Sequence, residues 1–317
     1  MDTTTTDLGS RAPSGPPVHA TRTGDPRRGA PPLLRRLARS SLMAPSGLLL
    51  TGLVVVPLAM LVYFGLLTGP RVDGPVTGEE WRRIIAQPDF YGRLLGRSLA
   101  LGLGATVLTI LLGWPTAWAL SRHARRLRPL FLALLIIPHL TSSLLLIYAV
   151  FVLLAPGGAL MTALGGVGLA EPGATLLFTR TAVLLMLAYL FLPFMTMALF
   201  AAVERIDPAL LDAARSLGAG GWQRFRHVVL PLTLPGMAAG LVIVFTPAAG
   251  SFVEARILGG GDGMMFGTLI ADQLSEANNQ PRAAAMSVVL LVAILGLLAA
   301  MRGTATRAFP GALRRRR

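Results

Sequence analysis

Cysteine and lysine are both absent from this 317-residue chain, which removes much of the chemistry that side chains can perform. Without cysteine there is no thiol nucleophile, no disulfide and no thiolate-bound zinc or iron–sulfur cluster. Without lysine there is no Schiff base and no P-loop to hold nucleotide phosphates. The four histidines, His19, His123, His139 and His227, are too widely separated to suggest a metal or catalytic cluster. No catalytic or metal-binding set is assigned. What remains is the placement of polar groups in apolar surroundings. Pro138, His139, Thr141, Ser142 and Ser143 interrupt a long apolar run, where polar groups are costly and mark either a solute path or bonds back to the helix itself. Glu254 and Arg256 stand two apart just beyond another apolar run, as an outer gate or an exposed charged rim. Within that run Pro247 and Gly250 suit either a gating bend or close helix packing.

Groups so placed need membrane-spanning helices to hold them. The chain is 53% hydrophobic and 14% charged, with a mean hydropathy of +0.63, whereas soluble domains carry about 25% charged residues. All 29 basic residues are arginine, against 15 acidic residues. A net charge of +14 on such an apolar chain points to anionic headgroups and topology, and not to nucleic acid. A helix needs about 20 apolar residues to cross the hydrocarbon core. Uncharged windows of that size predict an all-α polytopic protein with six spans, at 43–67, 98–121, 129–154, 181–203, 234–253 and 283–301. The stretch 155–173, broken by glycine and proline, is expected to be an external loop with a short helix.

Arginine orients the bundle. If the N-terminus is cytoplasmic, the internal segments hold 21 of the 29 arginines, as the positive-inside rule requires. Both termini are therefore expected in the cytoplasm, at a plasma (cell inner) membrane. Residues 1–42 are expected to form a disordered basic tail, 43–301 the transmembrane domain, and 302–317 a second basic tail ending in Arg314–Arg317 at the lipid headgroups. Thr77 and Glu80 are spaced as a capping box, and Trp81, Ile84 and Ile85 follow at helical spacing. This predicts a short amphipathic helix outside the membrane, either sealing the interface or meeting a partner.

The loop between spans four and five, residues 204–233, is the most informative segment. Asp207 and Pro208 form a strong helix start, and Gly218 a matching stop. Leu210, Ala214 and Leu217 fall on one face of the helix between them. A second helical stretch is expected to carry Trp222, Phe225 and Val229 on one side with Arg224 exposed, and to end at Leu230-Pro231. A short helix with small residues at Ala213 and Ala214 is built either for docking or for tucking under the bundle.

Asp212-Ala213-Ala214, Gly218, Val228 and Leu230-Pro231 resemble the EAA motif of ABC importer permeases, with Asp for Glu and Val for Ile. The likeness extends to the spermidine/putrescine-type permeases through Arg128-Pro129-Leu130, Ile137-Pro138, Ile147-Tyr148, Leu192-Pro193-Phe194-Met195 and Phe252-Val253. His139 and Leu146 depart from the pattern of many relatives.

The resemblance implies a type I importer bundle in which the helix at 208–217 couples to an ATPase. Asp212, Ala213, Ala214, Gly218, Leu230 and Pro231 would form that coupling segment, and His139, Ser142, Tyr148, Pro247, Phe252 and Glu254 would border the path or gate. It also implies ATP-binding-cassette subunits, a second permease subunit (giving a heterodimer), a solute-binding protein and membrane lipids as partners. No cofactor would bind this chain, because ATP and magnesium belong to the ATPase. The implied solute is a small one such as a polyamine, with an aminophosphonate, an opine-like compound and ferric iron as alternatives. An ion-coupled secondary transporter would need coupling carboxylates at mid-membrane depth, and none of the six windows contains Asp or Glu.

Overall fold

The computed structural model describes residues 32–69, 74–122, 126–169, 171 and 173–308. Most of the expected N-terminal tail and Arg314–Arg317 lie outside them. Twelve α-helices are present among the described residues, with no strands beyond one isolated backbone pairing of Leu67 with Val76. Six stretches are long and apolar enough to cross a membrane: Leu48–Leu66, Pro88–Arg122, Ser143–Gly166, Arg180–Glu204, Gly221–Ala249 and Gln280–Gly303.

Helix α1 (Pro32–Leu66) begins well ahead of Met43, so part of the expected disordered tail is helical. From Leu48 to Val56 most of its side chains are exposed leucine and valine, as befits a face turned to lipid. Its last carbonyl, on Leu66, accepts the N–H groups of Thr77 and Gly78 at 3.0 and 2.9 Å. Helix α2 (Glu79–Ala86) is the expected short amphipathic element, but the capping box does not form. Gly78 precedes the helix in a left-handed conformation, and Thr77 Oγ1 only accepts the Glu79 N–H at 3.3 Å. Glu80 turns inward instead and is 1% exposed.

Three helices make the centre: α3 (Pro88–Arg122), α7 (Arg180–Glu204) and α10 (Leu230–Ala249). Helix α3 begins at Pro88, well before the expected start at Ser98, because Pro88 is suited to the first turn. Lipid tails are as apolar as leucine, so membrane helices associate by close packing more than by hydrophobic burial. Glycine permits that closeness here. A Cβ at Gly102 would lie 2.9 Å from the Ala249 Cα, and one at Gly240 would lie 2.7 Å from Met195 Sδ. Buried threonines satisfy themselves within their own helices: Thr106 donates to the Gly102 carbonyl at 2.8 Å and Thr233 to the Val229 carbonyl at 3.0 Å.

The third expected span is the largest departure. Residues 129–154 are not one helix but α4 (Arg128–Ile136), a 3-10 turn (Ile137–Leu140) and α5 (Ser143–Leu154). Pro138 and the extended backbone at Thr141 and Ser142 stop the α-helical ladder. After a turn at Pro156-Gly157 comes α6 (Ala159–Gly166), a short helix as expected, but one that shares the apolar stretch Ser143–Gly166 with α5 where an external loop was expected.

Leu230-Pro231 does not end a helix as expected. Helix α9 (Gly221–Arg224) passes through a π-helical turn (Phe225–Val229) straight into α10. The wider π turn accommodates the missing N–H of Pro231 without breaking the rod. Helix α11 (Phe266–Ser275) and α12 (Gln280–Ala308) complete the described residues. Sequence periodicity did not mark α11. Its start is capped from a distance, since the Phe266 N–H donates to the buried Ser98 Oγ of α3 at 2.6 Å.

Candidate functional site

Helix α8 (Pro208–Ser216) stands in the loop between α7 and α9. Asp207 caps it, its carboxylate accepting the Ala209 N–H at 2.9 Å, and Pro208 opens the first turn. The end is equally well defined. Gly218 has φ +79°, its N–H donates to the Arg215 carbonyl at 3.0 Å, and the Ala219 N–H donates to the Ala214 carbonyl at 3.0 Å. Those paired bonds form a Schellman motif, which needs a left-handed residue at Gly218. Nothing lies within 4 Å of the place where a Cβ would sit on Gly218, so backbone conformation alone demands glycine there.

The helix presents its apolar groups on two sides. Leu210 and Leu217 are exposed, Leu217 by 88%, and Asp212 and Ala213 are exposed beside them. Leu211 turns inward instead and lines a cavity of about 360 Å³ with Trp114, Trp118, Phe225 and Val229. Helix α8 is thus seated on the bundle through Leu211 while its outer face stays uncovered. Leu230 and Pro231 lie away from it at the head of α10, half-buried.

The candidate path residues do not form one cluster. His139 sits in the 3-10 turn, half-buried, with its ring edge-on to Phe194 at 5.6 Å. Its Nε2 lies 2.6 Å from the Leu190 carbonyl, so Nε2 carries the proton and donates. Leu190 lies in the turn of α7 that Pro193 loosens. Ser142 precedes α5 and is exposed, as is Tyr148. Pro247 lies within α10 and is exposed, as is Phe252 beyond the helix end. Glu254 and Arg256 form no pair. Glu254 is buried and accepts the Ser251 hydroxyl, whereas Arg256 binds Asp272 and, at 2.9 Å, Glu276. The π-helical turn Ala255–Gly259 begins between them and sends the two side chains to different partners.

Several residues that fix this end of the molecule escaped sequence reading. Arg282 Nε donates to the buried Glu80 carboxylate at 2.7 Å and Arg83 Nη1 at 3.2 Å, joining α2 to the start of α12. The Glu79 and Glu80 carboxylates hold the Arg83 guanidinium above its ordinary pKa, through the hydrogen bond to Glu79 first. Arg97 and Arg180 both donate to the Asp262 carbonyl, at 2.9 and 3.1 Å, and pin the loop 259–263. Only the cap-like Thr77 spacing hinted that Glu80 had a role, and it named the wrong partner. At the other end Arg128 pairs with Glu204 at 2.6 Å and stacks on Phe200 at 5.0 Å.

Comparison with known proteins gives these features a family. The chain is 38% identical over 208 residues to the spermidine/putrescine transport system permease protein PotB of Escherichia coli strain K12, covering 66% of this chain and 75% of that one. Against PotB of Haemophilus influenzae it is 38% identical over 218 residues, covering 69% and 76%. The inner membrane ABC transporter permease protein YdcU of E. coli K12 is 31% identical over 264 residues, covering 75% and 83%. Among solved structures, a bacterial ABC transporter involved in the import of the acidic polysaccharide alginate superposes with a TM-score of 0.64. It is 19% identical and covers 87% of this chain and 98% of that one, a likeness of fold. Residues 103–306, which take in most of α3, the α8 loop and the central trio, match one family along their length. The chain belongs to the binding-protein-dependent transport system inner membrane components, and is a multi-pass subunit that transports and does not catalyse.

Proposed function

We propose that the chain forms one half of a translocation path for polyamines, that it pairs with a second, different permease subunit, and that α8 seats an ATP-hydrolysing subunit. The observation that carries the coupling reading is the uncovered outer face of a helix with a sharp start and stop. Asp212 and Ala213 stand on that face, while Ala214 and Gly218 form its end. Leu230 and Pro231 lie on the continuous rod Gly221–Ala249, against which Leu211 of α8 faces Phe225 and Val229, so a push on α8 reaches the central trio through that rod. ATP and magnesium belong to the partner, and both chain ends belong on its side of the membrane. A solute-binding protein would meet the opposite end, at α2, α11 and the pinned loop 259–263.

The polyamine reading rests on 38% identity to permeases named for spermidine and putrescine. The uncharged windows within the six spans contain no Asp or Glu, so a polycation would be met there by aromatic faces and backbone carbonyls. The break at Thr141 and Ser142 frees backbone groups within an apolar stretch, which is tolerated where they line protein or an aqueous cavity. His139, Ser142, Tyr148, Pro247, Phe252 and Glu254 are the residues to probe along it. Cells carrying the complete transporter should take up labelled spermidine, and unlabelled putrescine should compete. Uptake unaffected by deletion of this chain would refute the substrate. ATP hydrolysis by this polypeptide when purified alone would refute the division of labour.

A further inference from the structure

The cavity beneath α8 has chemistry that seating a helix does not use. Trp114 and Trp118 stack one helical turn apart, with centroids 5.6 Å apart, and Phe225 meets Trp114 edge-on at 4.5 Å. The Arg122 guanidinium lies 5.5 Å over the Trp118 ring. Against these apolar walls stand hydrogen-bond donors with no acceptor among the described residues. Trp114 Nε1 and Arg224 Nε are buried and unpartnered, and both residues line the cavity. Arg122 Nε is a third such donor beside it. Buried donors without partners are costly, and each calls for an acceptor.

We propose that this cavity binds an anionic phospholipid from the adjoining leaflet, its phosphodiester held by Arg224, Arg122 and the Trp114 N–H and its glycerol and upper acyl carbons against the aromatic walls. Three features favour a lipid over a soluble anion. A volume of about 360 Å³ exceeds what a phosphate fills, and its lining is mainly apolar. Tryptophan pairs near a helix end mark the depth at which headgroups meet the hydrocarbon core. This end of the molecule also carries Arg205, Arg215 and Arg226 on its surface, which raises the local concentration of anionic lipid. Arginine suits the task because its planar fork bonds two phosphate oxygens at once. A lipid here would brace Leu211 of α8 against α3, yet its binding does not depend on what docks on the outer face of α8.

The test uses the full-length chain with Trp81→Phe and Trp222→Phe, so that only the stacked pair fluoresces. It is reconstituted in phosphatidylcholine vesicles containing brominated phosphatidylglycerol or, in parallel, brominated phosphatidylcholine. Phosphatidylglycerol should quench with about tenfold higher apparent affinity, because the choline cation of phosphatidylcholine offsets its phosphodiester charge and would be brought beside Arg122 and Arg224. Arg224→Gln and the cavity-filling Leu211→Phe should each abolish that preference, whereas the exposed Arg226→Gln should leave it in place. Equal quenching by the two lipids would overturn the proposal, as would equal loss in Arg226→Gln, which would indicate surface electrostatics alone. Relief of quenching by inorganic phosphate would assign the cavity to a soluble anion. Relief on adding a copurified ATPase subunit would assign it to a protein interface.

Discussion

The two ends of the bundle use arginine in different proportions, mostly tied at one and mostly free at the other. At the end bearing α2 and α11, Arg83, Arg97, Arg180, Arg256 and Arg282 each bind a carboxylate or a backbone carbonyl. They tie α2 to α12, α3 and α7 to the loop 259–263, and that loop's preceding turn to α11. At the end bearing α8, Arg205, Arg215 and Arg226 are exposed, and none pairs with an acid among the described residues. Arg128, bound to Glu204 at 2.6 Å, and Arg122, bound to the Ile206 carbonyl at 3.0 Å, are fastened at this end too, so arginine mainly ties the fold at one end and mainly leaves a charged surface at the other. A count of arginines senses the difference as a bias in number. At the minority end these five arginines are held by an acid or a backbone carbonyl, while Arg82 stands exposed.

This contrast predicts different failures. At the fastened end, Glu80→Ala should remove the partner of Arg282 and destabilise the protein by about 3 kcal/mol, as breaking a buried pair does. Thermal unfolding in detergent should record a lower midpoint together with lost membrane abundance. A midpoint like that of the wild type would mean that α2 is only draped on the bundle. At the α8 end, Gly218→Val should strain a left-handed backbone by about 1 kcal/mol. The protein should remain in the membrane while uptake falls, measured as transport per molecule inserted. Loss of the protein itself would make the loop part of the folded core and erase the contrast.

Between the ends, His139→Leu removes a hydrogen bond to the Leu190 carbonyl, of about 1 kcal/mol. Uptake should drop with the complex still assembled, and normal uptake kinetics would demote His139 to a helix clasp. The smallest effect is expected from Arg215→Gln, on the exposed turn of α8, with stability changed by less than about 0.5 kcal/mol. A larger loss would reveal an anchoring role like those at the other end.

Local signals were readable where the chemistry is local. Asp207, Pro208 and Gly218 fix α8 through bonds spanning a few residues, and its bounds and left-handed stop emerge as expected. Five of the six apolar stretches were legible because hydrocarbon thickness sets their length, whereas the third lies at Ser143–Gly166 and not at 129–154. What failed depends on distant partners. Glu80 looked like a capping residue until Arg282 took it, and α11 is capped by Ser98 from another helix. Proline proved ambiguous from sequence alone. Pro138 breaks a helix, Pro193 only loosens one, and Pro231 is absorbed in a π turn. The outcome depends on how neighbours hold the backbone beside the proline, as His139 does at the Leu190 carbonyl, next to the Tyr189 carbonyl that Pro193 leaves without its helical donor.

The central claim is that α8 is where an ATP-hydrolysing subunit engages this chain. Because the native chain has no cysteine, single cysteines report without background. Ala213→Cys on α8 and Arg82→Cys on α2 place one thiol at each end, both near the surface. In membranes holding the assembled transporter, a short thiol-to-amine crosslinker should join position 213, and not position 82, to the ATPase, and nucleotide should change the yield. Crosslinking from position 82 with none from 213 would contradict the account and place the energy-coupling surface at the opposite end.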